Sequence, residues 1–335
     1  WKTKKILAKI YMAVNLGLAT NLWGDIPYSN AFKGAEDLQP TYDSQEEIYA
    51  SIHSLLDEAI IDFNQTDPQG ALGDLVNVNW IATAHALKAR YYMQLTKRDP
   101  NASSKALEEI ALAFTGNSDA PIFNFEGTPN GGNPQALFGI QRPNTLIIDP
   151  YFAALMNGDP RQPKYMTPNV DGDQLYFQNG NSDLFWAQFD SPSPLISYSE
   201  VKFLEAEALL NTGEDGVPAM KDAIKANMEY IGIPSADINS YLTLVTGTDL
   251  ETIITEKYKS MFGSNPMQTW NDYRRTGFPA ITPNPEGSNG SNPSGIVPRR
   301  FLYPDSERLS NNSAYEAAIA AQGGHLLDDD MWAFK

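Results

Sequence analysis

Apolar residues recur along this chain at intervals of three and four, the period of a helix with one buried face. Ile6, Ile10, Ala13 and Gly17 form one stripe, with Tyr11, Val14 and Leu18 beside it. Gly24 and Pro27 predict the end of that helix, because Gly admits a left-handed cap and Pro supplies no N–H. Ser44 and Glu47 have the spacing of a capping box, in which each side chain bonds the other's free backbone N–H. Behind them Ile48, Ile52, Leu55, Ala59 and Phe63 fall on one face. Trp80, Ala84, Leu87 and Tyr91 predict a further helix with Arg90 on its flank, and residues 106–114 a shorter one. From Gly116 to Pro194 the period is lost among Gly, Pro, Asn and Asp, apart from a helix over about 150–157 and a short strand at 146–148.

Helical patterning then resumes. Ser197 and Glu200 form a second capping box, Val201, Leu204 and Ala208 the stripe behind it, and Gly213 the C-terminal cap. Pro218 suits the first turn of the next helix, with Ile224, Met228 and Ile231 facing inward. Thr248 with Glu251 is a third box, followed by Ile254, Tyr258 and Met261; Pro266 restarts the chain toward Trp270 and Arg275. Residues 279–298 read as a long loop, 312–322 as a last helix, and Asp328, Asp329 and Asp330 as an acidic turn before Trp332. The pattern predicts an all-α fold of tetratricopeptide-like helical hairpins, pairing 44–64 with 80–96 and 197–212 with 218–231. One unit over residues 1–335 is expected. Its scaffold would be 1–115 and 197–275, and its loop-rich part 116–196 and 276–335, where binding residues concentrate.

The charge balance narrows the function. With 24 basic and 41 acidic residues the net charge is −17 over 335 residues. That argues against nucleic acid as a partner, since phosphates call for Lys/Arg patches, and against docking on anionic lipid. The absence of cysteine excludes disulfides, thiolate metal sites and Cys nucleophiles. No stretch approaches the ~20 apolar residues that cross a bilayer. The chain opens in helical pattern at Trp1, so any membrane tether is expected upstream of it.

Catalytic signatures are lacking. His53, His85 and His325 form no pair at helical spacing, and no zinc-hydrolase, nucleophile-elbow or phosphate-loop motif occurs. Neither a cofactor nor a metal is expected. Glycoside hydrolysis needs only two carboxylates, but Glu205 and Glu207 point to different faces of one helix and read as surface charges or partners of an arginine. The acidic turn lacks the Gly and alternating spacing of a calcium loop. The positive signal is aromatic: Tyr176, Phe177, Phe185 and Trp186 flank a polar turn holding Asn179. Flat rings stack on the C–H faces of sugars while amides bond hydroxyls. The same stretch also fits a hairpin whose aromatics pack on the helical body.

An ordered series of short motifs extends the reading. Leu22-Trp23-Gly24-Asp25-Ile26-Pro27-Tyr28 comes first, then Leu38 to Tyr49, Trp80 with Ala84 to Tyr91, and Asp159-Pro160-Arg161. Ile196 to Ala208, Trp270 to Pro279, and Pro298-Arg299-Arg300 with Tyr303-Pro304 complete it. This succession resembles the SusD/RagB family of nutrient-binding lipoproteins of Bacteroidetes-type outer membranes. The resemblance spans nearly the whole chain. It implies a helical fold with four tetratricopeptide-like units, a glycan or sometimes peptide ligand, and no enzymatic activity. It also implies a lipid anchor at the cell surface and a SusC-like, TonB-dependent transporter as partner. The ligand site does not transfer by motif. Asp25, Arg161, Arg274 and Arg275 read as structural. Arg161 and one of the arginine pair are expected to be buried with acids such as Asp159 or Asp272. A tetratricopeptide scaffold that binds only proteins is the competing class.

Overall fold

The computed structural model describes residues 2–64, 78–247 and 249–335, with side chains from Ile6 onward. Helices make up most of its regular structure. In chain order they are α1 (Lys2–Trp23), α2 (Gln45–Asn64), α3 (Trp80–Gln94), α4 (Ala102–Ile110) and α5 (Pro134–Gln141). Next come α6 (Pro150–Leu155), α7 (Gln162–Tyr165), α8 (Tyr198–Thr212), α9 (Val217–Tyr230) and α10 (Ser235–Leu244). The last are α11 (Leu250–Ser260), α12 (Pro266–Thr276), α13 (Asp305–Ser310) and α14 (Asn312–Gln322). Two antiparallel ribbons of two-residue strands join β1 (Ile122–Phe123) to β4 (Ser193–Pro194) and β2 (Thr167–Pro168) to β3 (Gln174–Leu175).

Helix ends are set by side-chain chemistry. The Ser44 N–H donates to Glu47 Oε2 at 2.8 Å, and the Glu47 N–H donates back to Ser44 Oγ at 3.3 Å. Ser197 Oγ accepts from the Glu200 N–H at 3.0 Å, and Gly213 closes α8 in the left-handed region. Thr248 lies outside the described residues; α11 is capped by Asp249, which accepts the Thr252 N–H at 2.8 Å. Two expected boundaries shift. The buried face of α2 runs through Leu56 rather than Leu55, four residues beyond Ile52. The fourth helix begins at Ala102 rather than 106, after Asp99 accepts the Asn101 N–H at 2.9 Å, and it ends at Ile110. The expected strand at 146–148 shrinks to a bridge between Ile147 and Leu175.

The chain divides into two compact units, residues 1–109 with 271–335, and residues 110–270. In the first, α1 packs along α2 and α2 against α3. Gly17 lets the Tyr91 ring lie on α1, where any Cβ would overlap it. Asp25 Oδ1 accepts the Gln45 N–H at the start of α2, at 2.8 Å. Arg274 donates to the carbonyls of Asn21 (2.7 Å) and Arg299 (2.9 Å) and stacks over the Phe334 ring. Arg275 pairs with Asp272 at 3.0 Å. Arg300, fully buried, donates to the Trp23 carbonyl at 2.6 Å. The C-terminal end of α1 is thus held by arginines that satisfy helix-end carbonyls.

In the second unit, α8 and α9 form a hairpin, with α11 against both and α10 against α9. Phe203, Met220, Ile224 and Met228 fill its core. Beside that core sits a buried charge network. Arg161 grips Asp159 in a bidentate pair, Nε to Oδ1 at 2.9 Å and Nη2 to Oδ2 at 2.7 Å. It also donates to Glu256 (2.9 Å) and Ser260 (2.9 Å) on α11. Lys259 and Tyr241 complete the Glu256 carboxylate at 2.7 and 2.8 Å. Burial alone raises the carboxyls of Asp159 and Glu256, yet the Arg161 contacts outweigh it and hold both below the usual carboxylate range.

Removing one partner of this network strands a buried charge, so Asp159→Ala is expected to cost ~3–5 kcal/mol of stability. Urea unfolding reads this directly, and an unshifted midpoint contradicts the assignment. In the first unit, His53 stacks on Tyr92 at 4.0 Å, and neither ring nitrogen has a hydrogen-bond partner. Burial pushes it down to about 4, with Lys88 adding to the effect. Its folded value lies below the unfolded one, so its stabilisation is complete above pH 6.5 and is lost as pH falls toward 4. The full effect is on the order of 3 kcal/mol. Melting temperature against pH should therefore slope more steeply across this window in the parent than in His53→Phe; equal slopes would discard His53 as the source.

Candidate functional site

The loop-rich part of the second unit owes its clefts to a strip of extended chain. β3 pairs with β2, and the strip is extended by backbone bonds from Ile148 N–H to the Gln174 carbonyl (2.7 Å) and from Tyr176 N–H to the Leu146 carbonyl (2.9 Å). Successive side chains in extended backbone point to opposite sides. Tyr176 therefore lines one cleft, while Leu175 and Phe177 line another. Helix α5, capped by Asn133 with Pro134 in its first turn, divides in the same way. Phe138 faces the first cleft, Gly139 and Ile140 the second. Ile147 lines both.

The first cleft has a volume of about 640 Å³. Its wall is a run of rings: Phe152 stacks on Phe262 at 4.8 Å, Tyr258 meets Phe152 edge-on at 5.4 Å, and Tyr176 tilts against Phe262 at 5.7 Å. The Tyr176 hydroxyl donates to the Trp186 carbonyl at 2.8 Å and lies 2.6 Å from Gln135 Oε1. Burial raises its phenol well above the usual tyrosine value. Asp149 accepts the Tyr151 N–H as the cap of α6, and Thr269 Oγ1 donates to the Pro266 carbonyl.

The second cleft, about 700 Å³, is polar. The Phe177 ring lies against Gly139, where a Cβ would collide with it. Around it stand Asn144, Asn169, Asp171, Asp173 and Asn179. Asn169 organises the turn facing Phe177: its Oδ1 accepts the N–H groups of Asp171 and Asp173, both at 2.9 Å. Asn144 and Asn179 are exposed, and among the described residues their side-chain amides have no hydrogen-bond partner. An aromatic face beside free amides and carboxylates can stack on an apolar ring surface and bond the hydroxyls around it.

The five aromatic-stretch candidates are therefore separated. Tyr176 lines the apolar cleft, and Phe177 and Asn179 the polar one. Trp186 is only 3 % exposed and packs in the core, meeting Phe185 edge-on at 4.9 Å and Tyr230 at 6.2 Å. Phe185 is half-buried on Tyr230. Neither Trp186 nor Phe185 lines the two clefts; Trp186 packs in the core, and Phe185 lies against it. The reason for the burial of Trp186 lies far along the chain. Gly263, in the left-handed region, leaves room for the Trp186 ring, which any Cβ there would strike.

Phe138, Ile147 and the Asn169 turn were not singled out from the sequence. The Asp171-Gly172-Asp173 turn signal and the Asn133-Pro134 helix start were the clues available. Elsewhere, the acidic turn bonds internally: Asp328 accepts the Ser294 N–H, Asp329 the Leu326 N–H, and Asp330 pairs with Arg299. Glu205 pairs with Lys202 at 2.5 Å. Among the described residues no group of three His, Asp or Glu side chains is placed to hold a metal ion, and no helix is long and apolar enough to cross a membrane.

Helical hairpins that carry two adjoining clefts on an irregular, loop-rich part are the build of a ligand-binding protein. The sequence matches, over residues 2–304, the SusD-like family described as starch-binding and associating with the outer membrane, and the chain belongs to that family. Solved structures agree on the fold. A SusD homologue from Bacteroides ovatus superposes with a TM-score of 0.82 at 22% identity, covering 99% of this chain and 82% of its own. One from Bacteroides fragilis gives 0.81 at 23%, covering 100% and 84%. A chitin-binding protein gives 0.80 at 23%, covering 100% and 81%. No curated protein matches the sequence.

Because Trp186 is a core residue, Trp186→Ala is expected to lower stability by ~3–5 kcal/mol through the cavity it leaves. Thermal and urea unfolding measure this. A variant as stable as the parent would mean that the ring is not packed as described.

Proposed function

We propose that this protein captures an oligosaccharide nutrient at the cell surface and delivers it to a SusC-like, TonB-dependent outer-membrane transporter, without making or breaking bonds. The observation that carries the reading is the polar cleft, in which the Phe177 ring stands among the amides of Asn144 and Asn179 and the carboxylates of Asp171 and Asp173. Membership of the SusD-like family supports a nutrient ligand and an outer-membrane setting. Of the solved relatives, one is named for binding chitin, a polysaccharide. The binding residues in this reading are Phe177 and Asn179, with Tyr176 on the adjoining wall. In this reading a lipid anchor holds the protein at the outer membrane.

The mechanism follows from the parts. A rigid helical scaffold holds short loops whose exposed aromatic and amide groups are largely in place before the ligand arrives, which reduces the ordering cost of binding.

Calorimetric titration of the purified protein against a panel of soluble polysaccharides and peptides tests this, with chromatographic analysis of every mixture. Expected is binding to a glycan without products, weakened roughly tenfold in Phe177→Ala and Asn179→Ala, as for the loss of one stacking or hydrogen-bonding group. Glycan binding indifferent to both substitutions would displace the site. Turnover would replace the binding reading with a hydrolase, and affinity for peptides alone would replace the glycan.

A further inference from the structure

The two clefts differ in chemistry more than one uniform sugar chain requires. Polar side-chain atoms of the 640 Å³ cleft come from Gln135, Asp149 and Thr269 and from the hydroxyls of Tyr176 and Tyr258. Asp149 Oδ1 accepts the Tyr151 N–H, the Thr269 hydroxyl donates to the Pro266 carbonyl, and the Tyr176 hydroxyl faces the Trp186 carbonyl and Gln135 Oε1. Few groups are left to satisfy the hydroxyls of a sugar, and each buried hydroxyl without a partner opposes binding. No lysine, arginine or histidine lines the cleft, so it offers nothing to an anionic group. What it offers is ring surface, from Phe138, Tyr176, Tyr258 and Phe262 backed by the buried Phe152, in a volume suited to a small organic group.

Two large apolar side chains of its lining are also left exposed. Phe138 is 42% and Ile147 54% solvent-exposed. Apolar side chains at the mouth of a ring-walled cleft gain by burial when an apolar ligand covers them. Ile147 is shared with the polar cleft, so a ligand crossing it passes from amides and carboxylates directly to aromatic rings.

We propose that the apolar cleft is a subsite for a neutral aromatic group, and that the ligand is a glycan carrying an aryl substituent. The sugar occupies the cleft of Phe177 and Asn179, and the aryl group crosses Ile147 to lie against Phe138, Tyr176 and Phe262. Aromatic rather than aliphatic chemistry is favoured because Phe138, Tyr176, Tyr258 and Phe262 present partly exposed faces and edges for offset or edge-on stacking. The sugar half of this assignment rests on the glycan reading above; the aryl half does not.

The test uses 2-naphthol, 2-naphthyl β-D-glucoside and methyl β-D-glucoside, titrated into the whole chain by calorimetry or by naphthyl fluorescence. The variants are Phe138→Ser, which removes a half-exposed ring, and Thr269→Trp, which fills the cleft; unfolding curves accompany both. Expected is saturable 2-naphthol binding, weakened tenfold or more in each folded variant, as for loss of a buried aromatic contact. The naphthyl glucoside should bind roughly tenfold or more tightly than its methyl counterpart. That advantage should survive Asn179→Ala. No 2-naphthol binding, or binding equal in the parent and both variants, overturns the subsite. Polysaccharide binding that depends on Asn179 alongside silent 2-naphthol leaves the glycan reading and removes this one. Cleft-dependent 2-naphthol binding with a silent glycan panel removes the glycan reading and keeps the aryl site.

Discussion

The guanidinium of Arg161 has no exposure to solvent, and the local fold of residues 159–165 depends on where its donors go. That segment belongs to a stretch with little regular secondary structure, so few ladder hydrogen bonds tie it down. Arg161 substitutes for them. It fixes Asp159 beside it in sequence and reaches Glu256 and Ser260 on α11. Lys259 and Tyr241 satisfy the remaining face of Glu256, so no charge in the cluster is left without a partner. Such a network has an exacting geometry because a half-satisfied buried charge is worse than none. The same α11 leads, one turn on, to Met261, Phe262 and Gly263, which line the apolar cleft. A charge cluster that is itself remote from any ligand therefore sets the position of the cleft's rear wall.

Long helices were legible in the sequence because several signals agreed on each of them. At Ser44 and Ser197 the cap, the apolar stripe and the length pointed the same way, and α2, α8 and α9 appear where expected. The short helices α5, α7, α10 and α13 were not seen. Each is ten residues or fewer, too short for a stripe to repeat, and α10 and α13 follow directly on Pro234 and Pro304. Neither proline was read as a helix start; each sits at the N-cap in extended backbone. The slip from Leu55 to Leu56 has a related cause. Both residues are apolar and lie three and four places from Ile52, and only the partner helix decides which one is buried.

The candidate site was less legible, for a reason visible in Trp186. Its sequence neighbours are an exposed polar turn, and composition alone placed it with Phe177 and Asn179 as a surface group. What buries it is Gly263, almost eighty positions away, whose missing side chain makes a slot for the indole. No local pattern encodes a slot. Leu175, Tyr176 and Phe177 are likewise three apolar residues in succession, and only the extended backbone sends them to alternate sides. That alternation separates an apolar from a polar wall, but the flanking Gly and Asn residues hid so short a strand.

Exposure then separates the aromatic residues by the work they can do. A ring that is already buried has left water during folding, so covering it again gains little; its contribution is to stability. A ring that remains half in water still has that gain available to a ligand. Trp186 and Phe152 are of the first kind. Phe138 is of the second, and Ile147, though aliphatic, shares its position. The folded chain could have covered both with one more turn of helix or a longer loop, at a saving in exposed apolar surface. It leaves them instead at the mouth of a ring-walled cleft, with Ile147 shared by the cleft of Asn144 and Asn179, so a ligand with both a polar and an aromatic part gains by covering them.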